Sequence, residues 1–342
     1  MFRISIDQTD KKPIYKQLLD QLETAIRSGV LSSGDLLPSM SVLSSETGIS
    51  RETVKKVYGI LSGKDLVVAK QGKGFYVADP ADGAKPRILL LFDKFSIYKQ
   101  VIYNSFVHTL EGKAEFVILT HNQSLDLLEF YLDNYLGKFD YYVVTPHFPL
   151  DETSQKRAVK LVSRIPNRKL ILLDRLLPGF QGNFGSVYQD FENDIYYGLA
   201  QGLDQWPKTS SLRVMTMPQS LYGQFIRRGV ERFCSEFSIP VEFLTGAPSQ
   251  VNRGDTFLVL NSQLDYGLVE LSRIIRANDL KIGSDVRIIS YNEYYINEIV
   301  LDGLTTVSAD FVQMGREAAR MILDRNLSKV HCDFKMVRRN TF

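Results

Sequence analysis

The sequence predicts an α/β chain in two unequal parts: a short helical module closed by a hairpin, then a long series of strand and helix patterns. Three observations carry this. Between Leu37 and Val77, two short helical patterns meet at a tight turn and are followed by two strand patterns around a glycine-rich tip. Beyond Pro86, apolar strand runs alternate with helical patterns, which implies parallel sheets covered on both faces. Between the two parts, Ala78 to Pro86 is small, polar and proline-bearing, without apolar periodicity, and reads as a linker. The expected division is residues 1–77, a 78–86 linker, and residues 87–342.

Pro13 stands at the start of the first helix, and Tyr15, Leu18, Leu19, Leu22 and Ile26 follow at i, i+3, i+4 spacing as one apolar stripe. Ser28-Gly29 ends it. Ser32 to Asp35 turns the chain, Leu36 and Leu37 are core candidates, and Pro38-Ser39 opens the second helix with Ser39 as N-cap. Gly48 supplies the left-handed residue that lets the chain double back. Ser50 caps the third helix, with Ile49 and Val54 as a hydrophobic staple. Val54, Val57, Tyr58 and Leu61 form its buried face, which leaves Arg51, Glu52, Lys55 and Lys56 outward and Ser50 and Thr53 at the exposed first turn. Two strand runs, Leu66 to Ala69 and Phe75 to Val77, joined through Lys70-Gln71-Gly72-Lys73-Gly74, complete a winged helix-turn-helix. That fold enters the major groove with the N-terminal end of its third helix, and its wing, here Lys70 or Lys73, meets phosphate or the minor groove. A phosphate-cradling reading of Gly72-Lys73-Gly74 is disfavoured because the loop leads into a strand rather than a helix.

Composition bounds the rest. The 342 residues are 44% apolar and 23% charged, enough for two or three domains with cores of their own. The net charge is +2; residues 1–80 carry 11 Lys+Arg against 9 Asp+Glu, and the remainder carries 30 of each. Within residues 50–75, six cations stand against two acids, a local +4 that suits a polyanion. No window approaches about 18 uninterrupted apolar residues, and the amino terminus has no signal-peptide core, so a cytoplasmic protein without membrane contact is expected. Cys234 and Cys332 are isolated and read as packed thiols; no metal and no cofactor is expected. The sequence contains no GxSxG, GxxxxGK[ST] or HExxH, so an enzyme is not expected.

The first module resembles the GntR-type bacterial transcription regulators over residues 11–77. The likeness rests on Pro13-x-Tyr15-x-Gln17-Leu18, Gly34-Asp35-x-Leu37-Pro38-Ser39, Gly48-Ile49-Ser50-Arg51-x-Thr53-Val54, Tyr58-x-x-Leu61 and Gly72-x-Gly74-x-Tyr76-Val77. It implies that Arg51, Thr53 and Lys55 contact DNA with the wing tip at Gly72 to Gly74 beside them. The family commonly has Arg two residues after the Pro-Ser pair, where this chain has Ser41. The expected DNA-facing set is Ser39, Ser41, Ser50, Arg51, Thr53, Lys55, Lys56, Lys70, Lys73 and Gly74.

In the second part the strand runs are Ile88 to Phe92, Phe116 to Leu119, Tyr141 to Val144, Leu170 to Leu173, Arg213 to Thr216, Val241 to Leu244, Phe257 to Leu260 and Val286 to Ile289. Two such series suggest two lobes with a ligand at the strands' carboxyl ends. The details resemble the sugar-sensing domains of LacI-type repressors, which are similar to periplasmic sugar-binding proteins of type I. Leu172-Leu173-Asp174-Arg175 resembles that family's strand ending in Asp-Arg, and Val187-x-x-Asp190 the start of its next helix. Leu258 to Ser262 resembles its Asn-Asp turn, Ile289 to Glu293 its Gly-Phe-Asp turn, and Leu304 to Val307 with Met314-Gly315 its closing segment. The resemblance implies sugar contacts from Phe95, Arg175, Asn261 and Asn292. Aromatic faces stack on C–H-rich sugar faces, while Arg and Asn present planar donor and acceptor sets to vicinal hydroxyls. Asn292 and Ser262 replace family aspartates, and the family's arginine three residues before the helix glycine falls on Ile226, leaving Arg227 as a neighbouring candidate. Arg175 pairing with Asp174 or a surface acid instead is the alternative. Tyr98, Tyr142 and Trp206 fit packing or ligand stacking, and His147 fits a cleft contact or a plain loop position.

The combination resembles the arabinose repressors of Gram-positive bacteria. It implies a homodimeric transcription repressor on a double-stranded DNA operator, controlled by a small monosaccharide effector, a pentose or 6-deoxyhexose such as L-arabinose or L-fucose. A lobed domain that takes a partner protein or a non-sugar metabolite is the alternative reading.

Overall fold

The computed structural model describes residues 4–10, 12–64, 66–78, 85–206, 211–217, 220–260 and 267–342. In the first module, α1 (Ile14–Ser28), α2 (Met40–Thr47) and α3 (Arg51–Gly63) precede β1 (Val67–Lys70) and β2 (Gly74–Val77). Each boundary has its local cause. Gly29 and Gly48 end α1 and α2 in the left-handed conformation, and the Ser39 and Ser50 hydroxyls accept from the Val42 and Thr53 amides. Leu18, Leu22, Leu43, Ile49, Val54, Val57, Tyr58 and Leu61 close one core with Val67 and Val77 of the hairpin. The Tyr58 hydroxyl, buried at its base, donates to the Pro38 carbonyl (2.7 Å), which ties α3 to the entry of α2.

The longer part is two parallel-sheet lobes, the architecture the alternating pattern predicts. One sheet is built from β3 (Arg87–Phe92), β4 (Glu115–Thr120), β5 (Tyr141–Val144), β6 (Leu170–Asp174), β7 (Gly185–Tyr188) and β13 (Lys329–His331), in the order β13-β7-β6-β5-β3-β4. The other is built from β8 (Leu212–Met215), β9 (Val241–Leu244), β10 (Thr256–Val259), β11 (Arg287–Tyr291), β12 (Thr305–Ala309) and β14 (Phe334–Val337), in the order β14-β12-β11-β10-β8-β9. Apolar residues fill both faces of the central strands, as buried parallel sheets require.

Several details differ from the sequence reading, whose strand runs do not include β12, β13 or β14. Val187 lies in strand β7, and the helix it was expected to start, α7 (Phe191–Ala200), begins after Asp190, whose carboxylate caps it. The second sheet is not wholly parallel, because β14 runs antiparallel to β12 after the chain returns from the first lobe. The chain therefore passes between the lobes three times: after β7, between β12 and α10 (Phe311–Leu323), and between β13 and β14. Backbone hydrogen bonds join these crossings, from the Asp310 amide to Asp333 and from the Cys332 amide to Tyr188, both 2.8 Å.

Helix α10 packs on α4 (Ile97–Leu110) so closely that a Cβ at Gly315 would lie 2.2 Å from the Ile102 carbonyl oxygen. Gly229, on α8 (Gly223–Glu236), is held 2.2 Å by the same measure from the Glu192 carbonyl of α7. Cys234 and Cys332 are buried free thiols, both pushed up by burial. Among the described residues no helix is long and apolar enough to cross a membrane, and no cluster of His, Cys, Asp and Glu is arranged to hold a metal ion.

Candidate functional site

Two surfaces carry the chemistry. On the first module, the capped N-terminus of α3 presents Arg51 and Lys55 to solvent, with Lys73 and Gly74 exposed on the wing. Ser50 Oγ lies 2.9 Å from Thr53 Oγ1, so both hydroxyls are already engaged at the helix start. The Arg51 guanidinium donates to the Ser41 hydroxyl. Ser41 thus stands beside an arginine supplied by the next helix. The amines of Lys56 and Lys70 lie over the rings of Tyr15 (4.0 Å) and Tyr76 (4.6 Å), which orients them along the module rather than straight outward. The Ser39 hydroxyl is used as the α2 cap (3.2 Å to the Val42 amide).

The second surface is a cleft of 310 Å³ between the lobes, where the carboxyl ends of β3, β5, β6, β8, β10 and β11 converge. Its floor is a buried ionic cluster. Lys99, on the first turn of α4, donates to Asp174 and lies 3.4 Å from Asp93; His147 Nε2 is 2.9 Å from the same Asp174 oxygen. The other Asp174 oxygen accepts from Gln189 Nε2 (2.5 Å), and Asp93 accepts from Thr145 Oγ1 (3.0 Å). Burial by itself would raise both carboxyls, but the Lys99 ammonium and His147 beside them hold each below the usual carboxylate range. Burial would likewise lower Lys99, and the two carboxylates reverse it, so the amine is pushed up. Three buried charges therefore stay ionised together at neutral pH.

Around this floor several buried polar atoms have no protein partner at hydrogen-bonding geometry: the hydroxyls of Tyr98, Tyr222 and Tyr291, Gln189 Oε1, Asn292 Oδ1 and Arg175 Nη1. The Tyr98 hydroxyl, pushed up to about 12 by burial, lies against the Asn292 side chain. A buried polar group left unmatched costs about 1–3 kcal/mol. Of these residues, Tyr98, Gln189, Tyr222, Tyr291 and Asn292 line the cavity. Tyr222 sits at the centre of the wall: it stacks on Phe191 (4.3 Å, 5°), meets the His147 ring edge-on (5.1 Å) and lies under the Arg175 guanidinium (5.1 Å).

The sequence-predicted ligand residues fall into three groups. Tyr98, His147 and Asn292 line the cleft, Asn292 in a left-handed conformation (φ 76°); Arg175 is not a lining residue but lies over the ring of Tyr222, which is. Asp174 does not pair with Arg175; it is taken by Lys99 and His147. Phe95 and Arg227 do not line the cleft. The Phe95 ring stacks on Phe92 and meets Tyr103 edge-on, 49% exposed, and Arg227 bonds Glu231 (2.7 Å) over the Phe243 ring. The reason for Arg227 is helical geometry: Ile226 faces the cleft, and the next residue is turned about 100° away. Asn261 lies outside the described residues. Tyr142 and Trp206 are packing residues, the first bonded to the Tyr135 carbonyl and the second against Phe233 and Phe342. Sequence reasoning missed Asp93, Lys99, Gln189, Tyr222 and Tyr291, and read Asp174 only as a partner for Arg175. One signal was available: Asp93 and Asp174 each end an apolar strand run, the position where parallel sheets place ligand groups.

Residues 14–77 match the gntR family of bacterial regulatory proteins. Residues 247–333 match the periplasmic binding protein-like domain. The first stretch is 38% identical over 68 residues to the mannosyl-D-glycerate transport/metabolism system repressor MngR of Escherichia coli K12, covering 20% of this chain and 28% of that protein. It is 31% identical over 78 residues to the transcriptional repressor YtrA of Bacillus subtilis 168, covering 23% and 60%. The chain thus spans less than two thirds of either relative. Among solved structures, the lac repressor dimer bound to operator and the anti-inducer ONPF aligns with a TM-score of 0.58 at 16% identity, covering 76% of this chain and 95% of that one. The trehalose repressor from Escherichia coli aligns with a TM-score of 0.57 at 13% identity, covering 74% and 100%. At such identities the likeness is one of fold. The chain carries a GntR-type helix-turn-helix segment ahead of a periplasmic-binding-protein-like domain built like those of LacI-type regulators.

Proposed function

We propose that this chain is a DNA-binding transcriptional repressor whose grip on its operator is set by a small sugar bound between the lobes. The DNA-binding domain is residues 1–77, with Arg51, Lys55 and the wing as its principal contacts; residues 78–86 link it to the effector-binding and dimerisation domain, 87–342. The observation that carries this reading is the coexistence on one chain of a capped, cationic α3 N-terminus and a cleft ringed by buried polar atoms that await a partner. The named relatives support it, since both are transcriptional repressors and MngR serves a sugar-derivative system. A homodimer on a palindromic operator is the corresponding assembly. Closure of the lobes on a ligand changes DNA affinity only if the ligand binds the two states unequally.

L-Arabinose, L-fucose and related pentoses or 6-deoxyhexoses head the panel of effectors to try. The test is an anisotropy titration of a duplex selected from a random-sequence pool by the protein itself. A sugar that shifts its affinity supports the reading, and a broad panel without effect counts against it. Assays for turnover of any bound sugar check the non-enzymatic assignment. A second reading, in which the lobes receive a partner protein, rests on the exposed Tyr295, Ile296 and Ile299. Charge substitution at Ile299 that altered DNA control while leaving sugar binding intact would favour it.

A further inference from the structure

The cleft's charges are closed among themselves. The buried charged side chains here are two carboxylates, Asp93 and Asp174, and two cations, Lys99 between them and Arg175 over the Tyr222 ring, so the set is formally neutral before His147 is counted. Lys99 is shared by both carboxylates. The further cation among the lining residues, Lys94, is exposed at the mouth, where water screens it. The unmatched atoms are of another kind. They comprise three tyrosine hydroxyls, of which Tyr98 lies against Asn292 and Tyr222 against Arg175, two side-chain carbonyl oxygens, Gln189 Oε1 and Asn292 Oδ1, and one N–H group, that of Arg175. Carbonyl oxygens need a donor, which a phosphate or carboxylate does not bring. The N-terminus of α8, which opens beside the cleft at Tyr222, has little to give an anion either. The amides of Gly223, Phe225 and Ile226 already donate to the carbonyls of Ser220 and Tyr222. A group carrying two negative charges would be buried beside two ionised carboxylates, with one unpaired N–H and the neutral tyrosine hydroxyls to meet it, an arrangement disfavoured by desolvation. A polyol, which donates and accepts at every hydroxyl, matches what is open.

We propose that the effector is an uncharged polyhydroxylated molecule, a free sugar, and that its phosphorylated form is not read. This rests on the cleft being the effector site. It places the signal ahead of any phosphoryl transfer that consumes the sugar, so the protein reports arrival of the sugar and not its entry into metabolism.

The experiment uses the full-length chain and matched pairs: L-arabinose, D-ribose, D-fructose and D-glucose, with L-arabinose 5-phosphate, D-ribose 5-phosphate, D-fructose 6-phosphate and D-glucose 6-phosphate. Thermal shift ranks them and titration calorimetry gives Kd. The expected result is a free sugar that binds with a phosphorylated counterpart at least 100-fold weaker, and a loss of at least tenfold in the free sugar's affinity in Asn292→Leu or Tyr222→Phe, which places binding in the cleft. A phosphate that binds as tightly as its parent overturns the charge inference and leaves the effector cleft standing. Free-sugar binding untouched by both variants overturns it by moving the ligand elsewhere. Silence from both series overturns the effector-cleft reading and this inference with it.

Discussion

Replacing Asp174 by Asn tests the buried cluster most searchingly. The substitution keeps shape and removes one charge from a site where Lys99 cannot reach water. At 3.4 Å and an effective dielectric of about 20, Asp93 still attracts the Lys99 ammonium by about 5 kcal/mol, so the amine is not abandoned. Breaking a buried pair outright costs about 3–5 kcal/mol. With Asp93 in place, the lower end, about 3 kcal/mol, is expected. For a domain of this size each kcal/mol moves Tm by about 2–4 °C, which gives a fall of about 6–12 °C by scanning calorimetry. Lys99→Met should cost at least as much, because it leaves two carboxylates facing each other. The double variant should then be less destabilised than the sum of the singles by about 2 kcal/mol. Small and additive effects, under about 1 kcal/mol each, would refute the claim that these groups form one ionised cluster.

His121, wholly buried and stacked on Phe148 (4.7 Å), is pushed down to about 4 by desolvation. Its neutral form belongs to the folded state, so its contribution is full above the unfolded value of about 6.5 and is lost as pH falls towards 4, roughly 3 kcal/mol in all; His121→Gln should flatten that slope in denaturation series across this window. Gly315→Ala drives a methyl onto the Ile102 carbonyl and should destabilise the lobed domain by about 1–3 kcal/mol, read by thermal melting. Arg51→Ala and Lys55→Ala should each weaken binding to the selected duplex and reduce the slope of log K against log salt by about 1, while leaving the sugar-induced thermal shift unchanged.

The first module was legible because its causes are local. Ser39, Ser50, Gly29 and Gly48 act within four residues of themselves, and capping and periodicity rules see them directly. The central strands were legible as unbroken apolar runs. Strand β7, reading Gly-Ser-Val-Tyr, was not, because its burial comes from its neighbours and not from its composition. The cleft was legible in its position but not in its charges. Lys99 sits near the start of a helix, between Tyr98 and Gln100, and looks like any solvated lysine. Its role appears only when the fold brings Asp174, 75 residues away, onto its amine. Arg227 shows the converse limit: a one-residue offset on a helix separates a cleft-facing side chain from a surface ion pair.

The measurement closest to the central claim joins the two surfaces in one cuvette: anisotropy of the selected duplex on the full-length protein, titrated with each free sugar that raises its Tm. If the cleft governs the first module, at least one such sugar shifts operator affinity tenfold or more, about 1.4 kcal/mol of coupling, and Asn292→Leu abolishes the shift while sparing DNA binding. Operator affinity that stays constant while the sugar saturates the cleft would contradict the account.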